Sequence, residues 1–132
     1  GANPVTSLTV ASVSKELVPS LWLLQQNITI DQIQYIMSSD AASTINLHLM
    51  SYSIVTGAGS TAGDLTSGAV LAQTGSSSGS LSPVDTSSSF VSNGTLTINT
   101  NDVDSGKALV VFAEASNTSD FTIQVNIKYH LR

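Results

Sequence analysis

The chain contains no cysteine, which excludes disulfide bonds, cysteine-ligated zinc and thiol catalysis. Charged residues are scarce as well. They make up 10% of the 132 residues, whereas soluble domains average about 25%. Four lysines and arginines stand against nine acids, which gives a net charge of −5. Nucleic acids and anionic membranes are bound through basic patches, so this composition argues against both as partners.

Long apolar runs and helical periodicity are also absent. The longest apolar segment, LVPSLWLL at residues 17–24, is interrupted by Pro19 and Ser20. It is far shorter than the roughly 18–20 residues of a membrane-spanning helix. No segment predicts a helix of more than about two turns, and we therefore expect an all-β fold. The polar surface must come mainly from hydroxyl groups, since 23 serines and 14 threonines are present.

Strand signals dominate the sequence. In residues 28–37 apolar and polar residues alternate, but the phase slips by one residue near Asp31, which predicts a β-bulge or a bend. The next strand signal, within residues 44–54, places Ile45, Leu47 and Leu49 on one face, with Asn46 and His48 opposite. The continuous apolar run at residues 108–115 predicts a central strand that is covered on both faces. A turn precedes this run, with Gly106 available for a positive φ angle.

The last twelve residues, FTIQVNIKYHLR, alternate six apolar with six polar residues without interruption. A strand of that length spans roughly 40 Å, about twice a common strand. A long uncovered edge invites aggregation. We therefore expect this strand to be central in its sheet or to be covered by another subunit.

The chain length predicts one domain, and many short strands without helices predict a sandwich or a barrel. We expect an N-terminal arm at residues 1–26 and a β-sandwich domain at residues 27–132. Between residues 56 and 94, 23 of 39 residues are Gly, Ser or Thr, which predicts long surface loops. Loops on a rigid β scaffold often carry contacts with partners.

Residues that catalysis or metal binding would need are few. His48 and His130 each lie on the polar side of an alternating strand, and we interpret both as surface or interface imidazoles. Asp102 and Asp104 lie in a turn, where paired acids more often cap backbone amides than bind Ca²⁺. No G-x-S-x-G nucleophile elbow is present. The sequence predicts a protein that is not an enzyme and needs no cofactor or metal.

The cations of the last strand are unusual in an acidic protein. Lys128, His130 and Arg132 share one face of that strand. They form either a solvated outer face or a docking stripe for an acidic neighbour.

Two long segments carry a resemblance to a known class. NITIDQIQYIMSSDAASTINLHLMSY, the Gly/Ser loops that follow, and GTLTINTNDVDSGKALVVFAEASNTSDFTIQVNIKYHLR resemble the jelly-roll modules of tailed-bacteriophage structural proteins. The shared pattern is an opening I-T-I-D strand, an I-N-L-H-L strand, and a late S-G turn leading into L-V-V-F and a final alternating strand. The resemblance covers residues 27–132, but the late turn has Gly106-Lys107 where Gly-Asp is commoner.

This resemblance implies a jelly-roll-like antiparallel β-sandwich of roughly seven to nine strands. It also implies a virion protein on the outer capsid surface or the tail, most often a homotrimer. The first expectation is a capsid decoration (cement) protein that braces the phage major capsid protein. The alternative is a tail-fibre or spike module that recognises a host surface glycan or protein receptor. The predicted interface with the capsid or with another subunit consists of residues of the arm and of the last strand: Val5, Leu8, Val10, Leu17, Leu21, Trp22, Leu23, Lys128, His130 and Arg132.

Overall fold

The structure is a computed structural model that describes residues 16–40, 44–59, 62, 65–75, 84–85, 91–115 and 120–132. All regular structure in these residues is β-strand, and no described helix is long and apolar enough to cross a membrane. The strands are β1 (Glu16–Leu23), β2 (Ile28–Ser39), β3 (Thr44–Ile54), β4 (Leu65–Gln73), β5 (Val84–Asp85), β6 (Val91–Thr95), β7 (Thr97–Ile98), β8 (Asp102–Val103), β9 (Lys107–Ala115) and β10 (Phe121–Leu131).

These strands form two antiparallel sheets that pack as a sandwich. The six-stranded sheet has the order β1-β9-β3-β4-β7, with β5 also paired to β3. The four-stranded sheet has the order β10-β2-β6, with β8 also paired to β2. Strands distant in the chain are neighbours, since β1 pairs with β9 and β2 with β10. The predicted all-β antiparallel sandwich is confirmed.

β9 confirms the prediction of a central strand covered on both faces. It lies between β1 and β3, and its residues 108–113 are all buried. Leu109 and Val111 belong to the core between the two sheets. Val110 and Phe112 belong to a second cluster on the opposite face of the same sheet, with Met50, Tyr52, Leu65 and Val70. The apolar run has no polar alternation because neither face meets water. The turn before β9 places Gly106 at φ 80°, as predicted.

The bulge predicted in β2 is also confirmed. The β10 partners pass from Lys128↔Gln32 to Tyr129↔Ile30, so Asp31 is the extra residue. This extra residue explains the phase slip in the sequence, because Ile30 and Ile33 both reach the core although they are three positions apart.

The two sides of the sandwich differ. At Leu96 the chain passes from β6 in one sheet to β7 in the other, and this buried residue lies in the core. The opposite side is bounded by β1 and β10, which are edge strands of different sheets. The rings of Trp22 and Tyr129 contact each other there. The chain therefore connects the two sheets on the side of β6 and β7, whereas the side of β1 and β10 ends in two strand edges.

The structure refines three expectations. β10 lies at the edge of its sheet among the described strands, which excludes the central position, while cover by another subunit stays a prediction. Residues 16–23 of the predicted arm form β1 and pair with β9, while residues 1–15 lie outside the described residues. Within the Gly/Ser-rich segment, for which long loops are predicted, Leu65–Gln73 form β4. The first residues of β4 pair with the end of β3, where Leu65 lies opposite Ile54.

Burial on one face of β2 predicts a clear difference between two isoleucines. Ile33 is fully buried in the core, whereas Ile36 on the same strand is 46% exposed. We expect Ile33→Ala to lower the free energy of unfolding by about 2–5 kcal/mol. The matched control Ile36→Ala should change it by about 0.5 kcal/mol. Chemical denaturation measures both, and equal losses would contradict this description of the core.

Candidate interface

β10 leaves one long side of the four-stranded sheet open. It pairs with β2 along all of residues 121–131, and no described strand pairs with its other side. Its apolar residues Phe121, Ile123, Val125 and Ile127 pack against the core but remain half-buried. Its polar residues on the other face are exposed. The alternation predicted from the sequence is therefore present, but its apolar face is only partly covered.

An exposed apolar patch lies where β1 ends beside β10. We call it the β1–β10 seam and define it by Trp22, Tyr129 and Leu131. The Trp22 and Tyr129 ring centroids are 5.2 Å apart with the planes tilted by 52°. Tyr129 and Leu131 are 43% and 59% exposed, and Trp22 is partly buried. A contact between two aromatic rings beside an exposed apolar side chain is typical of residues that anchor a protein interface.

Two of the three predicted cations contact acids of their own chain. His130 Nδ1 lies 2.9 Å from Oδ1 of Asp31, the extra residue of the β2 bulge. Arg132 places one guanidinium nitrogen 2.7 Å from Asp104 and another 3.5 Å from Asp102. His130 and Arg132 of the predicted stripe therefore already have acidic partners within the chain. Lys128 is exposed on the same strand.

The Asp102–Asp104 turn is closed by contacts within the chain. Thr29 donates its hydroxyl to Asp102 Oδ1 over 2.6 Å, and Arg132 contacts both acids. Among the described residues, no group of three or more His, Asp or Glu side chains is placed to hold a metal ion. The turn therefore acts as a clamp for the C-terminal arginine, and the Ca²⁺ interpretation gains no support from its geometry.

His48 lies elsewhere and corrects the sequence interpretation. It is buried, with 3% exposure, on the face of the six-stranded sheet that also carries Met50 and Phe112. Its neighbours across the sheet are Phe112 on β9 and Gln73 on β4. Alternation correctly predicted that His48 lies on the other face of β3 from Leu47 and Leu49. That face is also covered, so His48 is not open to solvent. The surface or interface role predicted for His48 is therefore wrong.

The predicted interface residues fall into three groups. Val5, Leu8 and Val10 lie outside the described residues. The backbones of Leu17 and Leu21 lie in β1, opposite Ala113 and Val110 of β9. Trp22 and Leu23 lie at the end of β1, and the Trp22 ring contacts Tyr129 of β10. Lys128 and His130 lie on the face of β10 opposite to Tyr129, and Arg132 follows the strand. The structure therefore does not bring these five residues into one cluster.

Sequence reasoning missed Tyr129 and Leu131 as exposed residues. Both lie in the apolar phase of β10, which predicted burial. They remain 43% and 59% exposed, although the ring of Trp22 contacts Tyr129. The phase slip at Asp31 marks the position in β2 opposite them, although no sequence signal shows this exposure.

Comparison with protein-family models, with curated proteins and with solved structures found no match for this chain. The resemblance to phage jelly-roll modules therefore rests on the sequence pattern alone.

The contact between Trp22 and Tyr129 predicts that substitution of Tyr129 changes the fluorescence of Trp22. Trp22 is the sole tryptophan, so intrinsic fluorescence reports on the seam. We expect Tyr129→Ala to shift the emission to longer wavelength, because removal of the adjacent ring exposes the indole to water. Tyr129→Phe keeps the ring and should leave the spectrum unchanged. Identical spectra for all three proteins would contradict the ring contact.

The C-terminal clamp predicts a small, salt-dependent stabilisation. Arg132 and Asp104 lie at the surface, where ion pairs contribute about 0.2–1 kcal/mol. A double-mutant cycle with Arg132→Gln and Asp104→Asn should give a coupling energy in that range. At about 1 M salt the coupling should vanish, because screening shortens the reach of exposed charges. A coupling that persists at high salt would argue against this pair.

Proposed function

We propose that this chain is a non-enzymatic structural protein of a phage virion, a capsid decoration protein that binds major capsid subunits and copies of itself. The observation that carries the proposal is the apolar β1–β10 seam beside an open edge strand. Large exposed apolar residues in a cluster mark protein interaction surfaces. The sequence resemblance supplies the virion setting.

The composition of the chain supports a role in adhesion. Serine and threonine make up 37 of the 132 residues, and only 10% of the residues are charged. Such a surface does not repel a neighbour of either charge. When many small contacts are repeated by symmetry, they add through effective concentration. A decoration protein works in this way, because each copy needs only a modest affinity.

The number of copies per virus particle distinguishes a decoration protein from the tail-fibre alternative. A decoration protein covers the capsid and is present in many copies per particle, whereas a fibre tip is present in few. A stained gel of purified particles, scaled to the major capsid protein, measures this ratio. A low ratio would support the receptor-binding alternative.

Capsid binding tests the seam directly. We expect Leu131→Asp to weaken binding to capsids that lack the protein by about thirtyfold or more, because a buried anchor at an interface contributes about 2 kcal/mol. The matched control Val91→Asp changes a residue that is similarly exposed, at 49%, but lies on β6 at the far side of the four-stranded sheet. Co-sedimentation measures both variants. Equal binding by both would contradict a role of the seam in capsid attachment.

A further inference from the structure

The edge of β10 carries Lys128 but has neither the proline nor the bulge that often keeps a strand edge from pairing. It is eleven residues long, has no proline, and its partner β2 carries the only bulge in the pair. The other described edges are interrupted. β1 contains Pro19 within a register shift, β4 has two register shifts, and β6 has five residues including Gly94. Proteins disrupt strand edges that must stay unpaired, so the regular edge of β10 indicates that it is covered.

Hydrogen bonds at both ends of the strand show which backbone groups face outward. Asp40 donates its N–H to the carbonyl of Asp120, and Arg132 donates its N–H to the carbonyl of Asn27. At both ends of β10, even-numbered residues therefore form the backbone hydrogen bonds with the β2 side. In an antiparallel ladder the bonding direction alternates along the strand. The N–H and C=O groups that point away from β2 therefore belong to the odd-numbered residues from 121 to 131.

This pattern permits a symmetric pair of β10 strands. Two outward-facing residues must lie opposite each other in every hydrogen-bonded pair, so the two residue numbers must both be odd. An antiparallel register centred on Asn126 meets this condition and uses all eleven residues. It places Val125 opposite Ile127, Ile123 opposite Tyr129, and the two Asn126 side chains opposite each other. Apolar residues then meet apolar residues on one face.

The charges also fit this register. Gln124 lies opposite Lys128 of the second copy, and the two Lys128 side chains are kept apart. A register centred on Lys128 would place like charges directly opposite each other, which destabilises a strand pair. It would also leave the first part of β10 unpaired. The register centred on Asn126 is therefore favoured by length and by charge.

We infer that β10 pairs with β10 of a second copy of this chain, antiparallel and centred on Asn126, so that two four-stranded sheets become one continuous sheet. This inference deepens the proposed function by naming the self-association surface. A symmetric pair of identical edges has two-fold symmetry. It therefore gives a dimer, in place of the homotrimer implied by the sequence resemblance.

Substitution at Gln124 tests the register, because this side chain is exposed and its change leaves the core intact. Sedimentation equilibrium of the purified full chain, without capsids, should show a particle of twice the 13.6 kDa chain mass. We expect Gln124→Lys to weaken the dimer about fivefold, because each dimer then holds two like-charged pairs. Gln124→Glu should strengthen it by a similar factor. Gln124→Lys combined with Lys128→Glu should restore it.

A second pair of variants tests the edge itself. Val125→Pro removes an outward N–H and leaves the even-numbered bonds to β2 in place, so we expect a folded monomer. Val125→Ala makes a similar change in side-chain size but keeps the N–H, and should remain a dimer. Amide exchange by NMR should show protection of Ile123, Val125, Ile127 and Tyr129 in the wild type that is lost on dilution to the monomer.

Several outcomes would overturn the pairing. A monomer at all concentrations, or a trimer, excludes a two-fold β10 contact, and so does a dimer that Gln124→Lys and Val125→Pro leave unchanged. Protected odd-numbered amides in a monomer would show that the edge is covered within one chain. None of these outcomes bears on capsid attachment, which is measured separately with Leu131→Asp after the oligomeric state of that variant has been checked by sedimentation, so the two proposals fail independently.

Discussion

The antiparallel pairing of β10 with β2 positions every feature of the candidate interface. It joins the last strand to the sandwich along eleven residues. Since β2 uses its other side for β6 and β8, the pairing leaves β10 at the edge of the sheet. The half-buried apolar face of β10, its outward backbone groups and the seam at its end all follow from this one arrangement. A strand of the same sequence at the centre of a sheet would present none of them.

The bulge at Asp31 shifts the register between β2 and β10 beside Tyr129, at the end of β10 that forms the seam. A single extra residue in β2 lets Ile30 and Ile33 both face the core. The same residue brings the Asp31 carboxylate to His130, while Asp102 and Asp104 receive Arg132. These exposed contacts add little free energy. Together they hold the end of β10 in place, so that Tyr129 stays against Trp22.

The six-stranded sheet supplies rigidity and takes no part in the proposed contacts beyond β1. Its central strand β9 is buried on both faces, and a second apolar cluster around Tyr52 and Phe112 covers the side that faces away from the four-stranded sheet. Most of the apolar surface of this sheet is thus used for folding. The large apolar side chains left exposed in the described part of the chain are Tyr129 and Leu131 at the seam, Ile36 and Val91 on the outer side of the four-stranded sheet, and Leu23 on β1. This distribution is why the interface proposals concentrate on the four-stranded sheet and its junction with β1.

The sequence by itself determined the class of the fold and much of its local detail. Period-two alternation fixes which side chains share a face, so the long strands, the slip at Asp31 and the doubly covered β9 were predictable. Alternation carries no information about what lies against each face or beside each edge. The burial of His48, the edge position of β10 and the exposure of Tyr129 depend on neighbours that are distant in the chain. Only the tertiary structure decided them, because strand order and the extent of the core are set by how the two sheets pack.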